Sequence, residues 1–456
     1  MKFKRYKMSE VATIAMSNVD KKTKEGETPV KLCNFVDVYR NWAITKDLIP
    51  TLMSATAKPQ EIEKFTLSKG QVALTKDSET RDDIGIATYI ADNMDNVLLG
   101  YHCAVLTPNS ALVDSKYLNA YMHSNIVHKY FENNASGSGQ RYTLSYDALL
   151  NIPVLLPDLE LQKGIGQIFS NIDRKIALNR QINDNLEATA RQLYDYWFVQ
   201  FDFPDENGRP YKSSGGKMKW NERLKRKIPI GWKVVSVNEI ANSVRGVTYK
   251  KEDLVDKNEG ILVLRGNNIQ DNKLIYDSNV SYVPTKLVSE EQHIKTKDII
   301  MTMSSGSKEH IGKCVMFQDD SDETYGAFLT KFSAFPKCKY LLYQLFNSLY
   351  FKEAIKSFAI GTGINNLTNS TFDNIYTVLP SDIVLSRFDE IEGYIYKGIG
   401  LLWSNSMKLT KLRDELLPLL MNGQATVNYH LSFGILFVYL FLYSQNMKYI
   451  WQQKIY

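Results

Sequence analysis

The sequence predicts a mixed α/β (α+β-like) fold built as an internal repeat: two globular domains, each followed by a long helix, with the two helices pairing head to tail about a pseudo-two-fold. Three observations carry that expectation. Residues 161–200 place Ile168, Ile172, Lys175, Asn179, Ile182, Leu186, Thr189, Leu193 and Tyr196 at alternating three- and four-residue steps, the a/d seam of a coiled coil. Residues 383–423 repeat the phase. Aligning Pro157 with Pro380, 223 positions on, lays the seam on Ile391, Ile395, Gly398, Leu402, Asn405, Leu409, Leu412, Leu416 and Leu419. Each helix also follows an apolar strand ending in proline, at 150–157 and 375–380. A helix of roughly 35 residues rises about 50 Å and cannot bury its own stripe, so each calls for the other. Asn179 and Asn405, one seam position out of step, are suited to fixing the register at a cost in stability.

The expected domains are residues 1–158 and 228–382 and the expected helices 159–203 and 383–424, with a turn-rich basic connector at 204–227 and an apolar tail at 425–456. In chain order, residues 6–11 with Ile14 can be laid on residues 232–237 with Ile240, each a short strand entering a domain. Pro29-Val30-Lys31-Leu32 and Ile261-Leu262-Val263-Leu264 are apolar strands running into Cys33-Asn34-Phe35 and Arg265-Gly266-Asn267-Asn268. Thr75 and Thr302 each precede a glycine, Gly85 and Gly312, by ten positions across a polar loop. Both halves then enter a helix, at 116–132 and 340–358, and a Gly-X-Gly turn, Gly137-Ser138-Gly139 and Gly361-Thr362-Gly363.

At 456 residues the chain exceeds a single core and points to two or three domains. A net charge of +5 permits a polyanionic partner without demanding one. The basic residues Arg209, Lys212, Lys217, Lys219, Arg223, Lys225, Arg226 and Lys227 gather between the halves, where they read as a solvated loop or as phosphate contacts. Cys33, Cys103, Cys314 and Cys338 form no CxxC, which indicates neither a zinc site nor a disulfide framework and fits a reducing, cytoplasmic compartment. The basic N-terminus lacks the apolar segment of a secretory signal. The apolar run at 431–443 is shorter than the roughly 20 residues of a bilayer crossing, so no membrane partner is expected. That tail should pack on the helices or be an extension without a role.

Signals for catalysis fail one by one. Residues 306–314 imitate a phosphate-binding loop, but five residues separate the glycines where four are needed, and Cys314 replaces the magnesium-holding hydroxyl. Gly361-Thr362-Gly363 lacks the third glycine of a dinucleotide fingerprint, and a tight turn explains it. The six histidines make no metal-binding spacing, and none joins a nucleophile arrangement. No metal or cofactor is expected in this chain. What remains are two loop sets rich in side chains that read base edges. The first offers Asn34 and Arg40; Lys76, Asp77, Ser78, Glu79, Thr80 and Arg81; and Ser138, Gln140, Arg141 and Tyr142. The second offers Arg265, Asn267 and Asn268; Ser304, Ser305, Ser307 and Lys308; and Thr362, Asn365, Asn366 and Thr368. Arginine suits the guanine O6/N7 edge and Asn or Gln the adenine N6/N7 edge. Any one of these could be a polar loop tip; their equivalent placement in two copies is the argument for DNA.

The motifs Leu159-Glu160-Leu161-Gln162-Lys163, Ile172-Asp173, Leu178-Asn179-Arg180, Trp197-Phe198-Val199-Gln200-Phe201-Asp202, Ile228-Pro229-Ile230-Gly231-Trp232 and residues 412–423 resemble the specificity (S) subunits of type I restriction-modification systems, over about residues 6–424. That resemblance implies two target-recognition domains separated by two long antiparallel coiled-coil helices, which space the half-sites and dock two methyltransferase (M) subunits. It also implies a non-catalytic chain that binds double-stranded DNA and directs adenine methylation by M subunits and cleavage by restriction (R) subunits, with S-adenosylmethionine, ATP and Mg2+ on those partners. The competing expectation is a helical scaffold whose loops bind protein. A self-sufficient methyltransferase is disfavoured by the absence of an Asn-Pro-Pro-aromatic motif.

Overall fold

The computed structural model describes residues 2–137, 141–270, 272–276, 280–307, 309–358 and 365–425. The chain divides into two compact units, Met1–Leu178 with Asn405–Tyr456, and Asn179–Ser404. The division falls inside both long helices, so each unit holds a globular part with a length of each helix.

In the first unit the central sheet runs Ala12–Met16, Cys103–Pro108, Val72–Thr75, Ala87–Ile90, Ala43–Ile44, antiparallel except for the last pair. Val72–Thr75 and Ala87–Ile90 are buried at every residue, which is why they read as unalternating apolar runs. A second sheet, Met53–Ala57, Thr28–Cys33, Val97–Leu99, builds a small core around Val30, Leu32, Phe65 and Leu98. The helices Ser115–Met122 and Asn125–Asn134 bury Tyr117, Tyr121 and Phe131 with the apolar side chains of the central sheet.

The long central helix, Leu159–Tyr194, begins after Pro157, where the Asp158 carboxylate accepts the Leu161 N–H at 2.9 Å. Gln162 explains why its first turns belong to the globular part. Its buried amide donates to the carbonyls of Pro157 (2.9 Å) and Leu112 (3.2 Å) and accepts the Asp114 N–H (2.9 Å). Ile165 and Phe169 then enter the same core as Leu420 and Met421 from the C-terminal helix, Asp382–Met421.

The second unit repeats the plan with a four-stranded antiparallel sheet, Ala241–Arg245, Leu329–Ala334, Ile299–Thr302, Cys314–Met316, and a three-stranded sheet, Ser281–Val283, Ile261–Leu264, Thr324–Tyr325. Here the two helices meet directly. Asn179 Nδ2 donates to the Leu402 carbonyl at 3.5 Å, and Phe198 packs edge-on to Phe388 with ring centroids 4.7 Å apart. Numbers rising along one helix fall along the other, so within this unit the helix segments run antiparallel. The central helix closes in a π-helical turn, Asp195–Val199, and Phe201 reverses the chain at φ +67°. Trp197, Phe198, Phe201, Phe203 and Trp232 form an aromatic cluster there.

Backbone hydrogen bonds show the repeat at residue level. Met8 N–H bonds Ile152 O as Val237 N–H bonds Ile375 O, Gly100 N–H bonds Cys33 O as Gly326 N–H bonds Leu264 O, and Gly85 N–H bonds Thr75 O as Gly312 N–H bonds Thr302 O. The Thr-to-Gly correspondence read from sequence therefore stands. The N-terminal one does not: Met8, not Val11, matches Val237, and Asn34 rather than Cys33 matches Arg265. The two copies differ in loop length, so their offset drifts along the chain, and a short apolar pattern fits several offsets equally.

The seam also needs a correction. One column, Ile172, Asn179, Leu186 and Leu193 with Ile395, Leu402, Leu409 and Leu416, is buried or half-buried as expected. The alternate column lies one residue later than Ile168, Lys175, Ile182, Thr189 and Tyr196: Phe169, Ile176, Asn183, Ala190 and Trp197 are buried. The second helix shifts alike, Leu412 and Leu419 being exposed while Leu420 is buried; Ile391, Gly398 and Asn405 are half-buried. Each helix must cover a globular core as well as its partner, which turns it away from a simple two-column seam.

The connector is more ordered than its composition implies. Met218–Asn221 and Arg226–Pro229 form a hairpin. Arg226 donates to the Phe198 carbonyl (3.3 Å) and lies over the Phe201 ring, and Arg223 lies over Tyr376. Arg226 is half-buried and engaged within the fold, whereas Arg223 sits exposed in the hairpin turn. The tail expected to pack on the helices lies outside the described residues, and among the described residues no helix is long and apolar enough to cross a membrane.

Candidate nucleic-acid interface

In the first unit the strand Val72–Thr75 carries the chain out of the sheet into Lys76, and the short strand Asp77–Ser78 then pairs with Tyr142–Thr143. The turn before Cys103–Pro108 sets His102 beside them, its carbonyl accepting the Lys76 N–H at 2.9 Å. A chain of polar and charged groups results. Lys76 Nζ contacts Asp77 Oδ2 at 3.1 Å, His102 Nδ1 lies 2.7 Å from the same oxygen, and Arg141 Nη2 lies 3.2 Å from the imidazole. Lys76 also sits over the Tyr101 ring, and Arg81 over Tyr142. Burial pushes the Asp77 carboxyl up, but bonds from Thr143, His102 and Lys76 outweigh it and hold it below the ordinary carboxylate range.

This arrangement gathers Lys76, Ser78, Arg81 and Arg141 on one surface, with Arg81 and Arg141 exposed. Lys76 is not the loop tip the sequence suggests. It is 7% exposed and its ammonium faces Asp77, so its role is to hold the surface rather than to reach a phosphate. Asn34 stands beside the turn through the Cys33–Gly100 backbone bond. Arg40 ends the helix Phe35–Arg40, next to Tyr39, whose hydroxyl donates to Asp83 in the Arg81 loop. Ser138 and Gln140 lie outside the described residues.

The second unit uses the same backbone. Ser304–Ser305 pairs with Asn365–Asn366, Met303 N–H bonds the Phe328 carbonyl at 2.9 Å, and Leu367 N–H bonds Met303 O as Leu144 N–H bonds Lys76 O. Ser304, Asn366 and Thr368 line a cleft of about 500 Å3 with Arg245, Met303 and Phe328. Ser305 and Ser307 hold the following turn, each hydroxyl accepting a backbone N–H. Arg265 and Asn267 stand at the equivalent of Asn34, half-buried and exposed respectively. Asn268 is a correction: it is 3% exposed, its Oδ1 takes the Arg265 N–H (2.8 Å) and its Nδ2 donates to Ile275 O (2.9 Å), so its amide is committed inside the fold. Lys308, Thr362 and the Asn365 side chain lie outside the described residues.

Sequence reasoning missed His102, Tyr101 and Phe328. The match of Thr75 with Thr302 was readable, but the equivalence of His102 and Phe328 follows only from the strands that pair with them, Cys103 opposite Thr75 and Leu329 opposite Thr302. Among the described residues no group of His, Cys, Asp or Glu could hold a metal ion, and all four cysteines are buried.

Comparison with known proteins follows this geometry. A family model described as the type I restriction modification DNA specificity domain matches residues 2–188 and 229–382. The StySPI specificity subunit of Salmonella potsdam is 30% identical over 209 residues, 44% of each chain, so the match spans under half of that relative. The HindI specificity subunit of Haemophilus influenzae is 23% identical over 79% of this chain and 88% of its own. The crystal structure of a type I restriction-modification S subunit from M. genitalium shares the fold at a TM-score of 0.51 and 15% identity, covering 92% of this chain and 96% of that one. With the family model matching well over half its length, twice and in the two places where the fold repeats, this chain belongs to the type I restriction modification DNA specificity domain family.

Proposed function

We propose that this chain is the DNA-recognition subunit of a type I restriction-modification complex. It holds a bipartite, asymmetric duplex target and performs no chemistry itself. One observation carries the reading: a single loop framework occurs twice, and its two copies present different side chains. Such a pair suits two unlike half-sites, with Lys and Arg positioning the backbone and the loops reading bases. The two helices offer docking surfaces for two M subunits, with R subunits completing the complex in the cytoplasm. S-adenosylmethionine, ATP and Mg2+ belong on those partners.

Co-expression with the M partner and mapping of modified adenines tests the proposal. A gapped two-part motif supports it, and a continuous short motif counts against it. Duplex affinity should also fall steeply with salt, as counterion release requires, whereas a protein-binding scaffold would respond weakly. Arg265→Ala should relax the preference at one base pair of one half-site by about 1–3 kcal/mol.

A further inference from the structure

We infer that Phe328 is a specificity-determining residue of the second recognition domain, packing its ring on the C5 methyl of a thymine while Asn366 addresses the paired adenine. This rests on the duplex-recognition reading above. Phe328 stands where the first unit has His102, at the turn before the strand Leu329–Ala334. Phe328 is 62% exposed, in a position where the matching side chain of the other copy, His102, is held between Asp77 and Arg141. The turn itself is stiff. The Phe328 carbonyl takes the Met303 N–H, Leu329 N–H bonds Gly326 O at 2.8 Å, and Arg245 Nε donates to the neighbouring Ala327 carbonyl at 2.9 Å. A ring held this way is presented outward by the backbone.

The surroundings define the occupant. Phe328 shares its cleft with Met303 and Leu367 as well as with Ser304, Asn366 and Thr368, so an apolar floor with one strongly exposed ring stands beside amide and hydroxyl groups, and Arg245 adds positive charge. The major-groove edge of an A·T pair has the complementary pattern: an acceptor and a donor on adenine, an acceptor on thymine, and the thymine methyl, the apolar group of that edge. A G·C pair offers no methyl. An asparagine amide can donate and accept at once, which suits adenine N7 and N6.

The test uses the full chain with its M partner and the target mapped as above, each thymine of the second half-site being replaced in turn by uracil, which removes only the methyl. For the unchanged protein one replacement should weaken binding about 3- to 5-fold, the worth of one buried methyl. Phe328→Ala should bind the thymine and uracil duplexes equally, at the level of the unchanged protein on uracil, and Phe328→Leu should keep part of the difference. Retained discrimination at the first half-site shows that the variant is folded. A second half-site without an A·T pair, indifference of the unchanged protein to every uracil, or a Phe328→Ala variant still sensitive to uracil overturns the inference while leaving sequence-specific binding intact. Loss of any preference for the mapped target over scrambled duplex would instead defeat the recognition reading itself.

Discussion

In the first unit the turn before Cys103–Pro108 sets His102 against a buried Lys76–Asp77 pair, and in the second the same turn sets Phe328 beside Met303 and Ser304. Three backbone bonds of the two turns correspond: Gly100 N–H to Cys33 O with Gly326 N–H to Leu264 O, Cys103 N–H to Gly100 O with Leu329 N–H to Gly326 O, and Lys76 N–H to His102 O with Met303 N–H to Phe328 O, the last 2.9 Å in both. A framework held by main-chain groups constrains its side chains only where they enter the core. The exposed positions can therefore carry charge in one copy and an aromatic ring in the other. What differs is where charge is buried and so coupled to folding: the first surface contains the nearly buried pair Lys76–Asp77 at the turn itself, whereas among the described residues the nearly buried pair of the second unit, Lys331–Asp298, lies further along the strand that follows its turn.

The largest expected effect at constant pH breaks that coupling. Asp77→Ala leaves the Lys76 ammonium buried without its carboxylate and should destabilise the first unit by about 3 kcal/mol, while Ser304→Ala at the matching place should cost under about 1 kcal/mol. Urea denaturation midpoints decide this, and equal losses would mean that the two surfaces are coupled to folding alike. Next come the matched glycines. Gly85 and Gly312 lie at φ +79° and +77°, and a Cβ on either would fall 2.2 Å from the Phe131 ring or 2.0 Å from Ile355 Cδ1. Gly85→Ala and Gly312→Ala should each cost about 2–3 kcal/mol from strain and overpacking together. A clear inequality between them would show that the turns are less equivalent than their hydrogen bonds.

Acidity separates the units in opposite directions. Asp77 is held below its usual value, so the stability it confers is present above pH 3.8 and is lost as pH falls through its folded pKa. Glu392, in the second unit, is fully buried. Burial raises its carboxyl from 4.5 to about 8, against the opposing bond from Gln344. Its contribution is complete below pH 4.5 and is lost as pH rises toward 8. Glu392→Gln should therefore remove a loss on the order of 3–4 kcal/mol between pH 5 and 8, read as a flatter profile of melting temperature against pH. An unchanged profile would assign that slope to other groups. The smallest effect concerns binding. Arg141→Ala should reduce discrimination at one base pair of the first half-site by about 1 kcal/mol and leave the second untouched, as competition with single-substituted duplexes would show.

The repeat and its two long helices were legible because apolar spacing over some 35 residues is a strong signal, and because it recurred after a Pro-ended strand. The seam's second column was not. Ile168 and Phe169, or Lys175 and Ile176, are adjacent choices on one wide stripe, and only packing against the globular cores selects the later residue of each pair. Likewise polar loop residues could be listed from sequence but not sorted. Asn267 and Asn268 look alike in a string, yet one is exposed and the other caps a turn from inside. His102 and Phe328 lie well over twenty residues along the chain from the strands they join, and only the pairing of Cys103 with Thr75 and of Leu329 with Thr302 brings them there.

The buried Lys76–Asp77 pair also bears on how such a surface can evolve. A single substitution that alters it leaves an isolated charge inside the fold, so new variants of the first surface must arise through paired changes or wholesale exchange of the segment. Among the described residues Met303 and Ser304 belong to no ion pair, the nearly buried Lys331–Asp298 pair lying further along the strand, so these two positions can change one residue at a time. On the recognition reading proposed above, the half of a target read by the second surface should wander through neighbouring sequences, while the half read by the first stays put or jumps.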